Sequence, residues 1–277
     1  MNRKIVADSS SDLLTLDGVP YKSAPLKIIT SEKEYIDDEN LNVLEMVDEL
    51  GCYKGKSSTS CPNEADWLEA FGDSEEIFCV TITGTLSGSY NAAMMAKNTY
   101  EEKYPDRKVF VLNSLTTGPE MGLIIEKIKE LISENKTFDE ICEEVDKYKG
   151  KTGLLFMLES MKNLANNGRV SPLVAKMAGL LGIRVVGKAS DKGDLEPLNK
   201  CRGESKALET IVEHLRSLGL KKGKVKISHC FNEKAGNALK ALILKEFSKA
   251  RVEITKCKGL CSFYAEKGGL LIGFERI

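Results

Sequence analysis

The sequence predicts an α/β protein in two units: an N-terminal α/β domain with a mostly parallel sheet over residues 1–150, and a C-terminal α+β domain over residues 151–277. Three observations lead there. Short β-rich runs alternate with helical patterns through the first half, the arrangement of a parallel sheet with helices on its faces. After residue 150 this alternation gives way to a hairpin and then to a mixture of strands and helices. The chain has 277 residues, a length that suits about two domains of roughly 150 residues.

Residues 4–7 form the first β run, and Asp8-Ser9-Ser10-Ser11-Asp12 follows as a turn or helix-capping cluster. Leu41, Leu44, Val47 and Leu50 recur at helical spacing, so this segment lays one apolar stripe on a core. Pro62 suits the first position of a helix running through Trp67 and Phe71. Residues 77–82 are β-rich and are followed by a helix over 90–100. Residues 109–112 make the next strand, and Leu123, Ile124, Ile128, Leu131 and Ile132 mark another helix. Thr137 with Glu140 is a capping box for the one after it.

In the second half, residues 154–158 are apolar, and the helical stretch after them stops at Asn167-Gly168, a C-terminal cap. Residues 183–189 and 195–201 flank Asp191-Lys192-Gly193-Asp194, a hairpin signal. A helix at 208–218, a strand at 225–228, a helix at 233–247 and strands at 252–256 and 270–274 complete the chain.

Composition narrows the function classes. Hydrophobic residues are 42% and charged residues 29%, as in an ordinary globular protein, and 40 Lys and Arg against 41 Asp and Glu leave a net charge of -1. Such a balance gives no bulk attraction to nucleic acid or to an anionic membrane. No apolar run approaches the ~18 residues of a membrane span. The N-terminus reads as a strand entering a polar turn and not as a signal peptide. Eight cysteines without such a signal point to reduced thiols and a cytoplasmic location.

Three catalytic or metal motifs fail on spacing. Gly55-Lys56-Ser57 lacks the G-x-x-x-x-G-K-[ST] frame of a phosphate-binding loop, because Gly51 leaves too few residues between the glycines. Cys257 and Cys261 have no second pair at zinc spacing, so no metal site is expected and both read as small buried hydrophobes. Thr83-Gly84-Thr85-Leu86-Ser87-Gly88 lies between a strand and a helix, where an activated serine would sit, but it is not the G-x-S-x-G elbow. The chain has 2 histidines: His214 falls mid-helix, and His229 ends a strand from which it could face a cleft. A serine hydrolase or acyltransferase using Ser87 is therefore the alternative reading.

Two hydroxyl-rich turns fit anion binding better. Ser57-Ser58-Thr59-Ser60 and the segment from Thr83 to Ser89 each precede a predicted helix. Helix N-termini present free N–H groups and a partial positive charge, and hydroxyls add neutral donors. For any one of these residues, simple N-capping is the commoner role.

Taken in order, Asp8-Ser9-Ser10-Ser11-Asp12-Leu13, Thr59-Ser60-Cys61-Pro62, Leu86-Ser87-Gly88-Ser89-Tyr90, and Asn113-Ser114 with Gly118 resemble successive signatures of the DegV family. Asn167-Gly168-Arg169-Val170, Cys201-Arg202-Gly203 and Ser228-His229 continue the resemblance through the second half. The resemblance implies a cytoplasmic bacterial binder of a long-chain fatty acid, not an enzyme, with no cofactor and an acyl chain buried between or within its domains. It implies a carboxylate held by Thr59 and Ser87, completed by backbone donors at Gly88 and Ser89. It also implies a fatty acid kinase subunit as a partner, with Arg169 as a surface contact for that partner or for the phosphate. One signature is altered: where the family reads G-x-H-x-G-P-G, residues 262–268 place Tyr264 at the histidine and Glu266-Lys267-Gly268 at G-P-G. A tyrosine hydroxyl donates a hydrogen bond but adds no charge near neutral pH. The expectation is fatty-acid binding with poor presentation to a typical kinase.

Overall fold

The structure, a computed structural model, describes residues 2–176 and 181–277. The first half begins with β1 (Arg3–Asp8), whose apolar run leads into a short 3-10 turn at Ser9–Ser11. Then come β2 (Tyr21–Ala24), β3 (Lys27–Ile29), β4 (Glu34–Ile36), α1 (Val43–Cys52), β5 (Ser58–Ser60), α2 (Glu64–Phe71), β6 (Glu76–Thr81), α3 (Ser89–Lys103), β7 (Lys108–Asn113), α4 (Gly118–Ser133) and α5 (Phe138–Lys149). The second half runs β8 (Thr152–Leu158), α6 (Lys162–Asn166), α7 (Pro172–Ala175), β9 (Ile183–Ala189), β10 (Leu195–Arg202), α8 (Glu204–Ser217), β11 (Lys224–His229), α9 (Glu233–Glu246), β12 (Arg251–Lys256), α10 (Gly259–Ala265) and β13 (Leu270–Glu275).

Strands β2, β1, β6 and β7 form a four-stranded sheet in which every pairing is parallel. Strands β4, β3 and β5 form a small antiparallel sheet beside it. Strands β10, β9, β8, β13, β11 and β12 form a six-stranded mixed sheet built wholly from the second half. The class expected from the sequence is the class observed.

Helix α4 makes these sheets one structure. It packs on β1 and β6 of the parallel sheet and on β8, β11 and β13 of the mixed sheet. That position encloses the first half of the helix on all sides and one stripe of the rest, and Met121, Leu123, Ile124, Ile125, Ile128 and Leu131 are all fully buried. Close approach to β13 depends on Gly273, where a side chain would collide with the backbone of Pro119 and Glu120. Outside this layer, Trp67, Phe71 and Tyr100 from α2 and α3 cover the far face of the parallel sheet. Leu208, Ile211, Leu215, Leu239 and Ile243 from α8 and α9 cover that of the mixed sheet.

Local signals largely hold. Thr137 and Glu140 form the capping box of α5, and Gly168 sits at φ +72° after α6. The hairpin between β9 and β10 turns at Gly193, φ +86°. Others need correction. Pro62 is not the first residue of a helix: Asn63 caps α2, accepting from the N–H groups of Ala65 and Asp66 while Asp66 accepts from the Asn63 N–H. An amide side chain that satisfies two orphan donors stops the helix from starting earlier. Residues 58–60, expected in a turn before that helix, are β5, because β3 has an edge they complete through the Thr59–Ile28 pairing. Leu44 is 48% exposed and lies off the buried side of α1, where Met46 is enclosed.

Candidate functional site

A cavity of about 260 Å³ opens between the mixed sheet and the loops of the first half. Its apolar wall comes from alternate residues of β8 (Leu154, Phe156 and Leu158), with Leu271 of β13 and Leu195 of β10. The intervening Leu155 and Met157 point to the opposite face, into the core under α8 and α9. Leu26, Ile82, Leu86 and Leu260 close the cavity from the other side. Against this apolar lining stand the polar groups of Thr59, Ser87, Gly88, Arg169 and Tyr264.

Each is placed by a specific piece of local structure. Thr59 pairs directly with Ile28, so its side chain shares the face of β3 that packs against Phe263 and α10. Helix α10 is held by buried acids of the first half. Asp12 accepts from the Lys258 N–H at 2.7 Å, and Asp37 accepts from the Gly259 and Leu260 N–H groups at 2.7 and 2.9 Å. A carboxylate at a helix N-terminus answers both the orphan N–H groups and the helix dipole. So anchored, α10 brings Tyr264 into the cavity, where its hydroxyl lies 2.8 Å from that of Thr59. Burial raises the Tyr264 pKa, so the hydroxyl stays neutral.

The loop from Ile82 to Gly88 carries Ser87. Asp8, fully buried, accepts from the Ile82 N–H at 2.9 Å, from the Ser89 hydroxyl at 2.6 Å and from the Ser10 hydroxyl. Loss of hydration raises its pKa, and these donors offset only part of the rise. The Ser89 side chain is thus enclosed and committed to Asp8, while its N–H donates to Ser87 Oγ at 3.3 Å. Gly88, the residue before α3, lines the cavity beside Cys61, whose Sγ would lie 3.3 Å from a Cβ placed at Gly88.

Arg169, expected at the surface, is only partly exposed. It is half-buried and lines the cavity, with Nε donating to the Leu86 carbonyl at 3.1 Å and Nη1 to the Asn167 carbonyl at 2.6 Å. The tight turn at Gly168 returns the chain toward the loop of Ser87, which draws the guanidinium inward. Tyr264 feels its charge, and Thr59, Tyr264, Arg169 and Ser87 all line the same cavity.

Neither histidine belongs to it. His214 pairs with Asn199 at 2.6 Å, and His229 Nδ1 accepts from the Asn232 N–H at 3.3 Å; neither lines the cavity. Cys257 and Cys261 are buried, as expected, with Cys261 at the cavity wall. Among the described residues no group of three or more His, Cys, Asp or Glu is placed to hold a metal ion, and no helix is long and apolar enough to cross a membrane. Sequence reasoning missed the roles of Asp8, Asp12 and Asp37. The serine-rich cluster marked the first two as turn or cap residues, but nothing near Asp37 signalled a buried acid.

Fold and cavity together define an α/β binding protein with a mostly apolar chamber and one polar cluster of neutral hydroxyls and an arginine. A family model described as "Uncharacterised protein, DegV family" matches residues 2–276. A DegV domain-containing protein of Streptococcus pneumoniae is 41% identical over 99% of each chain. The chain belongs to the DegV family.

Solved structures extend the likeness. A DegV family protein from Eubacterium eligens loaded with heptadecanoic acid superposes with a TM-score of 0.97 at 44% identity, covering 99% of this chain and 100% of that one. The Fatty Acid Kinase (Fak) B3 protein of Streptococcus pneumoniae, loaded with linoleic acid, superposes at 0.98 with 41% identity over the whole of both chains. A DegV family protein from Ruminococcus gnavus, refined with vaccenic acid, gives 0.91 at 29% identity, covering 99% of each.

Proposed function

We propose that this protein is a non-enzymatic, cytoplasmic binder of a long-chain fatty acid. The carboxylate is held by the hydroxyls of Thr59 and Ser87, with Tyr264 and the Gly88 N–H beside them, and the tail lies along the leucines of β8 and β13. The observation that carries this reading is the pairing of an apolar chamber with a cluster of neutral donors in one cavity. Three relatives of the same fold hold fatty acids, which supports it. At roughly 0.8 kcal/mol per buried methylene, a tail of about sixteen carbons offers on the order of 10 kcal/mol gross, part of which is offset by ordering the chain.

The placement of both histidines away from Ser87 weighs against hydrolysis, since no imidazole stands near enough to take its proton. Residues 1–150 and 151–277 are taken as the two domains, the mixed sheet belonging entirely to the second. Likeness to the Fak B3 protein supports a kinase subunit as partner, while the uncharged Tyr264 argues that presentation to it is inefficient. Organic extraction of the purified protein followed by lipid mass spectrometry tests the central claim. An equimolar long-chain acid is expected, and protein that neither carries nor takes up any fatty acid would overturn it.

A further inference from the structure

We propose that the tip of the β9–β10 hairpin holds Ser87 in its binding position, which makes Thr85 a positioning residue for the head-group site. This rests on the fatty-acid reading above. Up to Gly84, the loop between β6 and α3 is bonded to its own half of the chain. Ile82 donates to Asp8, the Thr83 N–H to the Thr116 carbonyl at 2.9 Å, and the Gly84 N–H to Asn113 Oδ1 at 3.1 Å. Beyond Gly84 this changes. Among the described residues, the hydrogen bonds that reach Thr85 and Leu86 from outside the loop come from the second half: Thr85 Oγ1 donates to the Gly193 carbonyl at 2.9 Å, and Arg169 donates to Leu86. Among the described residues, Ser87 itself accepts a single, local bond from the Ser89 N–H.

The hairpin tip is built to make that contact. Asp194 accepts from the Ser190 N–H at 2.8 Å, Gly193 donates to the Ser190 carbonyl at 2.9 Å, and Ser190 Oγ accepts from the Lys192 and Asp194 N–H groups. This closed turn presents the Gly193 carbonyl outward. A side chain at Gly193 would collide with the Thr83 hydroxyl and lie 3.1 Å from Leu115 Cα, so the tip is seated directly on the loop. Thr83 and Thr85 share a further hydroxyl contact at 3.1 Å. Within residues 85–88 the remaining bonds are local, such as the Leu86 N–H to the Thr83 carbonyl at 3.2 Å, so the hairpin tip ties this cavity-lining segment to the second half two residues from Ser87.

A double-mutant cycle on hexadecanoate binding tests this. Thr85→Val is expected to lower affinity about fivefold, the loss of one neutral hydrogen bond, and Thr85→Ser to restore it to within about twofold, since it keeps the donor. In the Ser87→Ala background the Thr85→Val effect should nearly vanish, because a residue that acts through Ser87 is not additive with it. Thr85→Val binding like wild type overturns the proposal, and so does an undiminished effect in the Ser87→Ala background, which would mark a merely structural role. Ser87→Ala without effect on its own would instead overturn the head-group assignment on which the proposal rests.

Discussion

The hydroxyls of Thr59 and Tyr264 meet at 2.8 Å across 205 residues of sequence. One comes from a short strand of the first half and the other from a helix of the second, so the pair forms only when α10 is docked on Asp12 and Asp37. This contact links the polar cluster of the cavity to the packing of the two halves.

Removing the head-group donors should weaken binding without unfolding the chain. Thr59→Val keeps the β-branched shape that suits β5, and Ser87 lies in a loop. Each of Thr59→Val and Ser87→Ala is expected to cost about 1.5–3 kcal/mol of hexadecanoate affinity, the range for hydrogen bonds to a charged group. Isothermal titration of delipidated protein measures it. Unchanged affinity in both variants would remove these residues from the site.

Ser87 should behave as an ordinary hydroxyl. Both histidines are engaged elsewhere and neither lines the cavity, so neither imidazole is placed to activate it. The protein is expected to resist a fluorophosphonate probe and to show no burst with an activated ester. A burst abolished by Ser87→Ala would restore the hydrolase reading.

Tyr264 sets a third expectation. A histidine can carry positive charge near neutral pH, whereas the buried Tyr264 hydroxyl remains neutral. Wild type should therefore be phosphorylated poorly on its bound acid by a kinase subunit from a related bacterium, and Tyr264→His should improve turnover. Acyl-phosphate production decides the matter. Wild-type turnover matching that of a histidine-bearing relative would show that the charge is dispensable.

Stability should fall with rising pH through the range where the acids beneath α10 ionise. Burial pushes Asp12 up to about 7 and Asp37 up to about 6, against the pull of the backbone N–H groups they accept from. An unfolded aspartate titrates near ~4. Between that value and about 7, the native state keeps a proton that the unfolded state has lost, so raising the pH favours unfolding. Asp12→Asn tolerates the same left-handed backbone, φ 60°, and cannot ionise. Urea titrations at pH 4.5 and 7.5 should show a smaller decline for this variant than for wild type. An equal decline would assign the titration to other groups.

Glu266 adopts a backbone conformation that glycine favours. It sits at φ +54° and ψ 170°, a region that glycine occupies freely and other residues enter only under strain. The altered signature places this glutamate at the first glycine of G-P-G. Its carboxylate accepts from the Asn163 N–H at 3.1 Å, a contact no glycine could make.

Much of this protein was legible in the sequence. Continuous apolar runs and helical patterns placed most strands and helices, because a strand buried on both faces reads as an unbroken apolar run and a half-buried helix repeats with its own geometry. Ordered short motifs marked Thr59 and Ser87. Other features depended on tertiary structure, because they join residues with no local relationship. Residues 58–60 became a strand because β3 offered an edge. Arg169 turned inward because Gly168 returned the chain to the Leu86 carbonyl. Asp37, with no motif around it, acquired its role only when α10 arrived with the Gly259 and Leu260 N–H groups unsatisfied, a pairing across more than 200 residues that no local pattern encodes.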